Sequence, residues 1–127
     1  MSSDVHVIAT TPEGTRAALV AARPFVADQP VVVIIPSTQA SAIQHGDVLA
    51  SQYRRIANSL NQPIQLRFCI CRTAASAAQI IPPGATLVIG GESRRWWPTR
   101  EERVAAQLRR DGRDVVFAEV GTEAERA

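Results

Sequence analysis

A doubly wound α/β fold, built on one five-stranded parallel sheet with helices on both faces in a single domain spanning 1–127, is what this sequence predicts. Three observations predict it. Pro30-Val31-Val32-Val33-Ile34-Ile35 is a continuous apolar, β-branched run, the mark of a strand buried on both faces, as parallel strands are. Five such runs alternate with segments of helical spacing along the chain. Turn formers punctuate them, Pro82-Pro83-Gly84 most abruptly. That alternation calls for right-handed crossovers and a parallel sheet sandwiched between helices.

The first strand is read at 5–9, Val5-His6-Val7-Ile8-Ala9, with His6 as a hydrogen-bonded strand histidine. The turn-forming Thr10-Thr11-Pro12-Glu13-Gly14-Thr15 follows, and then an alanine-rich helix over 16–26. The second strand, 30–35, ends at Pro36-Ser37-Thr38, and a polar loop holding His45 runs to Gly46. Asp47 is a good N-cap for a helix to about Leu60, in which Val48, Leu49, Tyr53, Ile56 and Leu60 recur at helical spacing. A third strand at 64–70, a short helix of small residues at 73–81 and a fourth strand at 86–89 come next. Thr99 with Glu102 forms a capping box, and Val104, Ala105 and Leu108 give the following helix a narrow apolar stripe up to Gly112. The fifth strand is read at 115–118, and 121–127 as a loose tail.

With 127 residues, 46% of them hydrophobic and 20% charged, the chain suffices for one core without a disulfide or metal staple. No apolar run reaches the roughly 20 residues of a membrane span, and Met1-Ser2-Ser3-Asp4 lacks the features of a secretory signal, so a soluble cytoplasmic protein is expected, with no membrane partner. The net charge of +2 is carried by scattered arginines interleaved with Asp and Glu, which argues against nucleic acid as a partner. Lysine is absent throughout, so no P-loop exists, and no serine sits in a nucleophile-elbow pattern.

Cys69 and Cys71 fall on one face of the third strand, with Cα atoms about 6.5 Å apart, at the edge of what a disulfide tolerates. They read as small reduced core residues. Metal binding would need further ligands, and His6 and His45 lie in different segments without ligand spacing.

The stretch after the fourth strand carries the chemistry. Gly90 and Gly91 could cradle an anion, with Ser93 as hydroxyl donor and Arg94 or Arg95 as charge, or they could merely end a strand and permit a turn. Trp96 and Trp97 could stack on an adenine or on a partner protein, or one of them could plug the carboxyl edge of the sheet.

Several phrases in this order resemble the universal stress protein family. Ile8-Ala9-Thr10 with Glu13-Gly14-Thr15-Arg16-Ala17-Ala18-Leu19 is similar to that family's opening strand, loop and helix. Ile34-Ile35-Pro36 is similar to its second strand, and Ala85-Thr86-Leu87-Val88-Ile89-Gly90 to its fourth, which typically ends in glycine. The resemblance implies strand order 3-2-1-4-5, a switch point between strands one and four, and a homodimer through the fifth strand, 114–120. Thr10, Thr11, Ser37, Gly90, Gly91, Ser93 and Arg94 would then converge on the ligand site, with Arg95 beside them. ATP-binding members carry an aspartate after strand one, where this chain has Thr10, Thr11 and Pro12. Their later glycines are replaced here by Ser93 and Arg103. The expectation is a non-catalytic, dimeric stress-response or regulatory module with a degenerate nucleotide site and no cofactor beyond weakly bound ATP or another adenine nucleotide. The alternative is a binder of a nucleotide or other small anion at the carboxyl edge.

Overall fold

The β-branched runs form the five strands: β1 (Val5–Ile8), β2 (Val31–Ser37), β3 (Ile64–Ile70), β4 (Thr86–Gly91) and β5 (Asp114–Glu119). The structure is a computed structural model that describes residues 4–26, 29–71, 73–93 and 98–120. All strand pairs are parallel, and the order is β3-β2-β1-β4-β5. Every residue of β1 and β4 is buried, as their central places require.

Side-chain alternation divides the core in two. Val5, Val7, Val31, Val33 and Val88 meet α1 (Pro12–Ala22) and α2 (Gln39–Ser59) through Ala18, Leu19, Tyr53 and Ala57. Ile8, Ile34, Leu87 and Ile89 meet α3 (Ala74–Ala77), a 3₁₀ turn at Ala78–Ile80 and α4 (Arg100–Arg110) through Ala77, Ile81, Ala105 and Leu108. Each large side chain taken fully out of water contributes about 1.5–3 kcal/mol toward the entropy of ordering the chain.

The strands shift by one or two residues at their ends, and three helices differ more from the sequence reading. The first helix begins at Pro12 rather than at 16 and is continued by a 3₁₀ turn at Arg23–Phe25; Thr11 caps it by accepting the Gly14 N–H at 3.0 Å. Pro12 sits in the first turn, where its missing N–H costs nothing. The second helix begins at Gln39, eight residues before Asp47, so the polar loop and its His45 are helical. Gly46 lies inside that helix under the Phe68 ring, 3.6 Å from where a Cβ would be, an ordinary contact distance. Val48, assigned to the apolar stripe, is 66% exposed. The third helix is a single turn passing into the 3₁₀ turn.

Pro36 lies inside β2, opposite Cys69. The Ile34 carbonyl faces β1, accepting from Ala9 N at 2.8 Å, and the Ser37 carbonyl faces β3, accepting from Cys71 N at 3.1 Å. Pro36 therefore faces the β1 side beyond the last residue of β1, and no ladder donor is lost. At the other end of the molecule Gly112, with φ +86°, turns the chain from α4 into β5, and Arg113 N bonds back to Leu108 O at 3.0 Å.

Candidate functional site

In a parallel sheet every following helix starts at the carboxyl edge, and here all four start the same way. Thr11, Thr38, Thr73 and Thr99 are the four N-caps, each accepting the backbone N–H three residues on. The positive ends of the helices thus gather around the ends of β1, β2, β3 and β4.

The β4 side of this edge is closed by backbone. Thr10 Oγ1 donates to Gly90 O at 2.7 Å, Tyr53 OH donates to Thr10 O at 3.4 Å, and Thr10 N donates to Thr15 Oγ1 at 3.3 Å. A Cβ on Gly90 would fall onto the Gly14 carbonyl, and one on Gly14 would stand 2.5 Å from the Gly90 oxygen. The two glycines are a helix–strand seam. Gly91 is covered too: its added Cβ would lie 2.6 Å from Glu101 Cβ and 2.7 Å from its Cγ. Gly90 is thus committed to the seam, and Gly91 meets the cavity at this edge only beside the Glu101 side chain.

The start of α4 is equally occupied. Thr99 Oγ1 accepts from Glu102 N at 3.2 Å while Glu102 Oε1 accepts from Thr99 N at 2.9 Å, the reciprocal capping box. Thr99 Oγ1 also donates to Glu92 O at 2.7 Å, and Ser93 Oγ donates to Glu102 Oε2 at 3.3 Å. Glu13 stands in the first turn of α1, Glu101 and Glu102 in that of α4. Their carboxylates complement the helix dipoles that would otherwise attract an anion. A cavity of about 460 Å³ remains here, lined by Thr11, Glu13, Gly91, Glu92, Thr99, Arg100, Glu101 and Arg103 among others.

On the β2 side the edge is open. A cavity of about 310 Å³ is walled by Ala9, Pro36 and Val104, by the hydroxyl residues Thr10, Thr11, Ser37, Thr38 and Thr73, and by Cys71, Arg100 and Glu101. The first turn of α2 holds no acidic residue. Of the predicted site residues, Thr10, Thr11 and Ser37 do converge here; Gly90 and Gly91 belong to the packing of β4, and Ser93 is a partner of Glu102. Arg94, Arg95, Trp96 and Trp97 lie outside the described residues, so the plug predicted for the tryptophans does too. Sequence reasoning missed Thr38, Thr73, Arg100 and Glu101. The recurring threonine three residues before an N3 donor was the signal that could have found the first two.

No protein-family model matches the chain, and no curated protein does. Among solved structures it is similar to a universal stress protein in complex with cAMP, with a TM-score of 0.63 at 17% identity over 95% of this chain and 100% of that one. The fold is that of a universal stress protein. The 3-2-1-4-5 order is the one the resemblance implied.

Within this fold, two expectations about single residues are corrected. His6 is 5% exposed, and its Nδ1 has no hydrogen-bond partner among the described residues, so it is not the satisfied strand histidine expected. It lines a cavity of about 490 Å³ at the amino edge, with Asp4, Gln65 and Arg67. Burial holds its pKa below the usual 6.5, with Arg67 acting the same way and Asp4 opposing. Cys69 and Cys71 are free, half-buried thiols rather than core residues. Among the described residues no three His, Cys, Asp or Glu side chains come together as a metal site, and no helix is long and apolar enough to cross a membrane.

Proposed function

We propose that this chain is a universal-stress-protein-like cytoplasmic module that acts in stress response or regulation by binding rather than by catalysis, and whose triphosphate site is closed. The observation that carries the reading is Glu101 lying on Gly91 beside an α4 N-terminus already closed by its capping box. A triphosphate brought there meets three carboxylates, those of Glu13, Glu92 and Glu101, against the two guanidinium groups of Arg100 and Arg103, and like charges juxtaposed in a site cost several kcal/mol. Calorimetric titration with MgATP tests it. The expected result is millimolar or no binding; low-micromolar dissociation would overturn it.

A second reading is favoured by the open β2 side. The cavity there is near the lower end of ligand-sized pockets and combines apolar walls with hydroxyls, one arginine and the Glu101 carboxylate. It suits a nucleoside or a nucleotide with a single phosphate better than it suits ATP. The solved neighbour's ligand, cAMP, is the natural probe. Tighter binding of cAMP than of ATP supports this reading, and equal or weaker binding removes it.

The module is proposed to be a homodimer through 114–120. β5 is a sheet edge, with Val115 and Ala118 buried and Val116 and Phe117 only half-buried. Pairing across a twofold axis would satisfy its outer backbone groups. Light scattering of wild type and Val116→Lys decides: a dimer that the lysine splits is expected. A dimer indifferent to it would move the interface to the β3 edge, where Phe68 and Ile70 are exposed.

A further inference from the structure

Cys69 and Cys71 form a pair that the proposed function does not use. Cys69 is on β3 opposite Pro36, and Cys71 continues the ladder one residue past the strand by donating its N–H to Ser37 O at 3.1 Å. Extended chain puts residues two apart on one face, and both cysteines pack against the same core cluster, that of Ile34 and Ile89. The Cys71 thiol donates toward Cys69 O at 3.5 Å and Thr73 O at 3.4 Å. Both residues are half-buried, and Cys71 forms part of the wall of the open carboxyl-edge cavity, which gives a route in from solvent.

We propose that this dithiol is a binding site for a soft monovalent d¹⁰ metal ion, Cu(I) by chemical class. Three features select it. Two thiolates are the ligands that soft ions prefer, and a monovalent d¹⁰ ion is satisfied by two of them in a linear arrangement. Zn²⁺ wants three or four protein ligands, and no third His, Cys, Asp or Glu stands beside the pair among the described residues. Finally, Cα atoms two residues apart in an extended strand are about 6.6 Å from each other, near the outer limit for an S–S bond but suited to two sulfurs with an ion between them. Binding converts two thiols and one M⁺ into a dithiolate complex of net charge −1 and releases two protons. Because each thiol must give up its proton to bind, metal uptake strengthens as pH rises.

The test is titration of reduced, anaerobic protein with Cu(I) against the chelator bicinchoninate, with Zn(II) in a parallel series. The expected result is one Cu(I) taken per chain, thiolate-to-metal absorption in the ultraviolet, two protons released, and loss of binding in both Cys69→Ser and Cys71→Ser. Alkylation by iodoacetamide, read on unaltered protein so that variant folding does not enter, is expected to be blocked by Cu(I) and unaffected by Zn(II). Copper left wholly with the chelator, full binding retained by either serine variant, one ion shared by two chains, or protection by Zn(II) as strong as by Cu(I) would each overturn the assignment.

Discussion

The amino ends of α2 and α4 open on the same carboxyl edge, and each is capped by a threonine that accepts the N3 amide, Thr38 from Ser41 N and Thr99 from Glu102 N. They reach opposite states. The α4 end carries Glu101 and Glu102 in its first turn, one packed on Gly91 and the other closing the capping box. The α2 end has no acid in its first turn and borders open space. A helix N-terminus is therefore not an anion site by virtue of its dipole alone; the side chains of its first turn decide whether the dipole is already complemented.

The largest effect expected from breaking this contrast is at the seam behind it. Gly90→Ala puts a methyl group onto the Gly14 carbonyl, and neither backbone can move without disturbing a strand or a helix. A loss of about 3 kcal/mol in urea unfolding is expected. A change below about 1 kcal/mol would mean that α1 does not close the β4 side.

Next comes the direct exchange of states. Glu101→Gly uncovers Gly91 and removes a carboxylate from the β4 side while leaving the capping box intact. MgATP affinity should rise about tenfold to a hundredfold, or 1.4–2.7 kcal/mol, by calorimetry. Thr99→Ala should cost about 1 kcal/mol in thermal unfolding, somewhat more than Thr38→Ala, because only Thr99 is reciprocated by a glutamate.

The smallest effect concerns the opposite edge. His6 has a lowered pKa through burial, so above pH 6.5 it is neutral in both folded and unfolded chain and contributes no pH dependence. As pH falls below 6.5 the unfolded chain takes up the proton first, and stability declines until the folded pKa is passed. Urea unfolding over a pH series should show that decline, and His6→Leu should flatten it. Ligand binding at the carboxyl edge should not change with this substitution; if it does, the two edges are coupled.

How much of this was legible in the sequence follows from which contacts are local. The strands were, because β-branched runs such as Val31-Val32-Val33-Ile34-Ile35 report their own burial. The capping box was, because Thr99 and Glu102 are three residues apart. The starts of α1 and α2 were not: Gly14 and Gly46 look like breaks, yet both are helical, and Gly14 is required by the Gly90 carbonyl distant in sequence. Thr10, Thr11 and Ser37 could be placed because residues following parallel strands must line the edge. Glu101 could not, since a glutamate in a first turn reads as an ordinary dipole partner and its place over Gly91 depends on how α4 meets the sheet. The partnerless Nδ1 of His6 escaped for the same reason, as only the packed neighbours show that no acceptor or donor reaches it.

The most direct test of the closed β4 side is an amide chemical-shift map of the wild type at saturating MgATP. The account predicts that Gly91, Glu92 and Arg103 do not move, and that any shifts fall at Thr10, Ser37, Thr38, Thr73 and Val104 around the open cavity. Dominant shifts at Gly91, Glu92 and Arg103 would contradict it and return the phosphates to the end of β4.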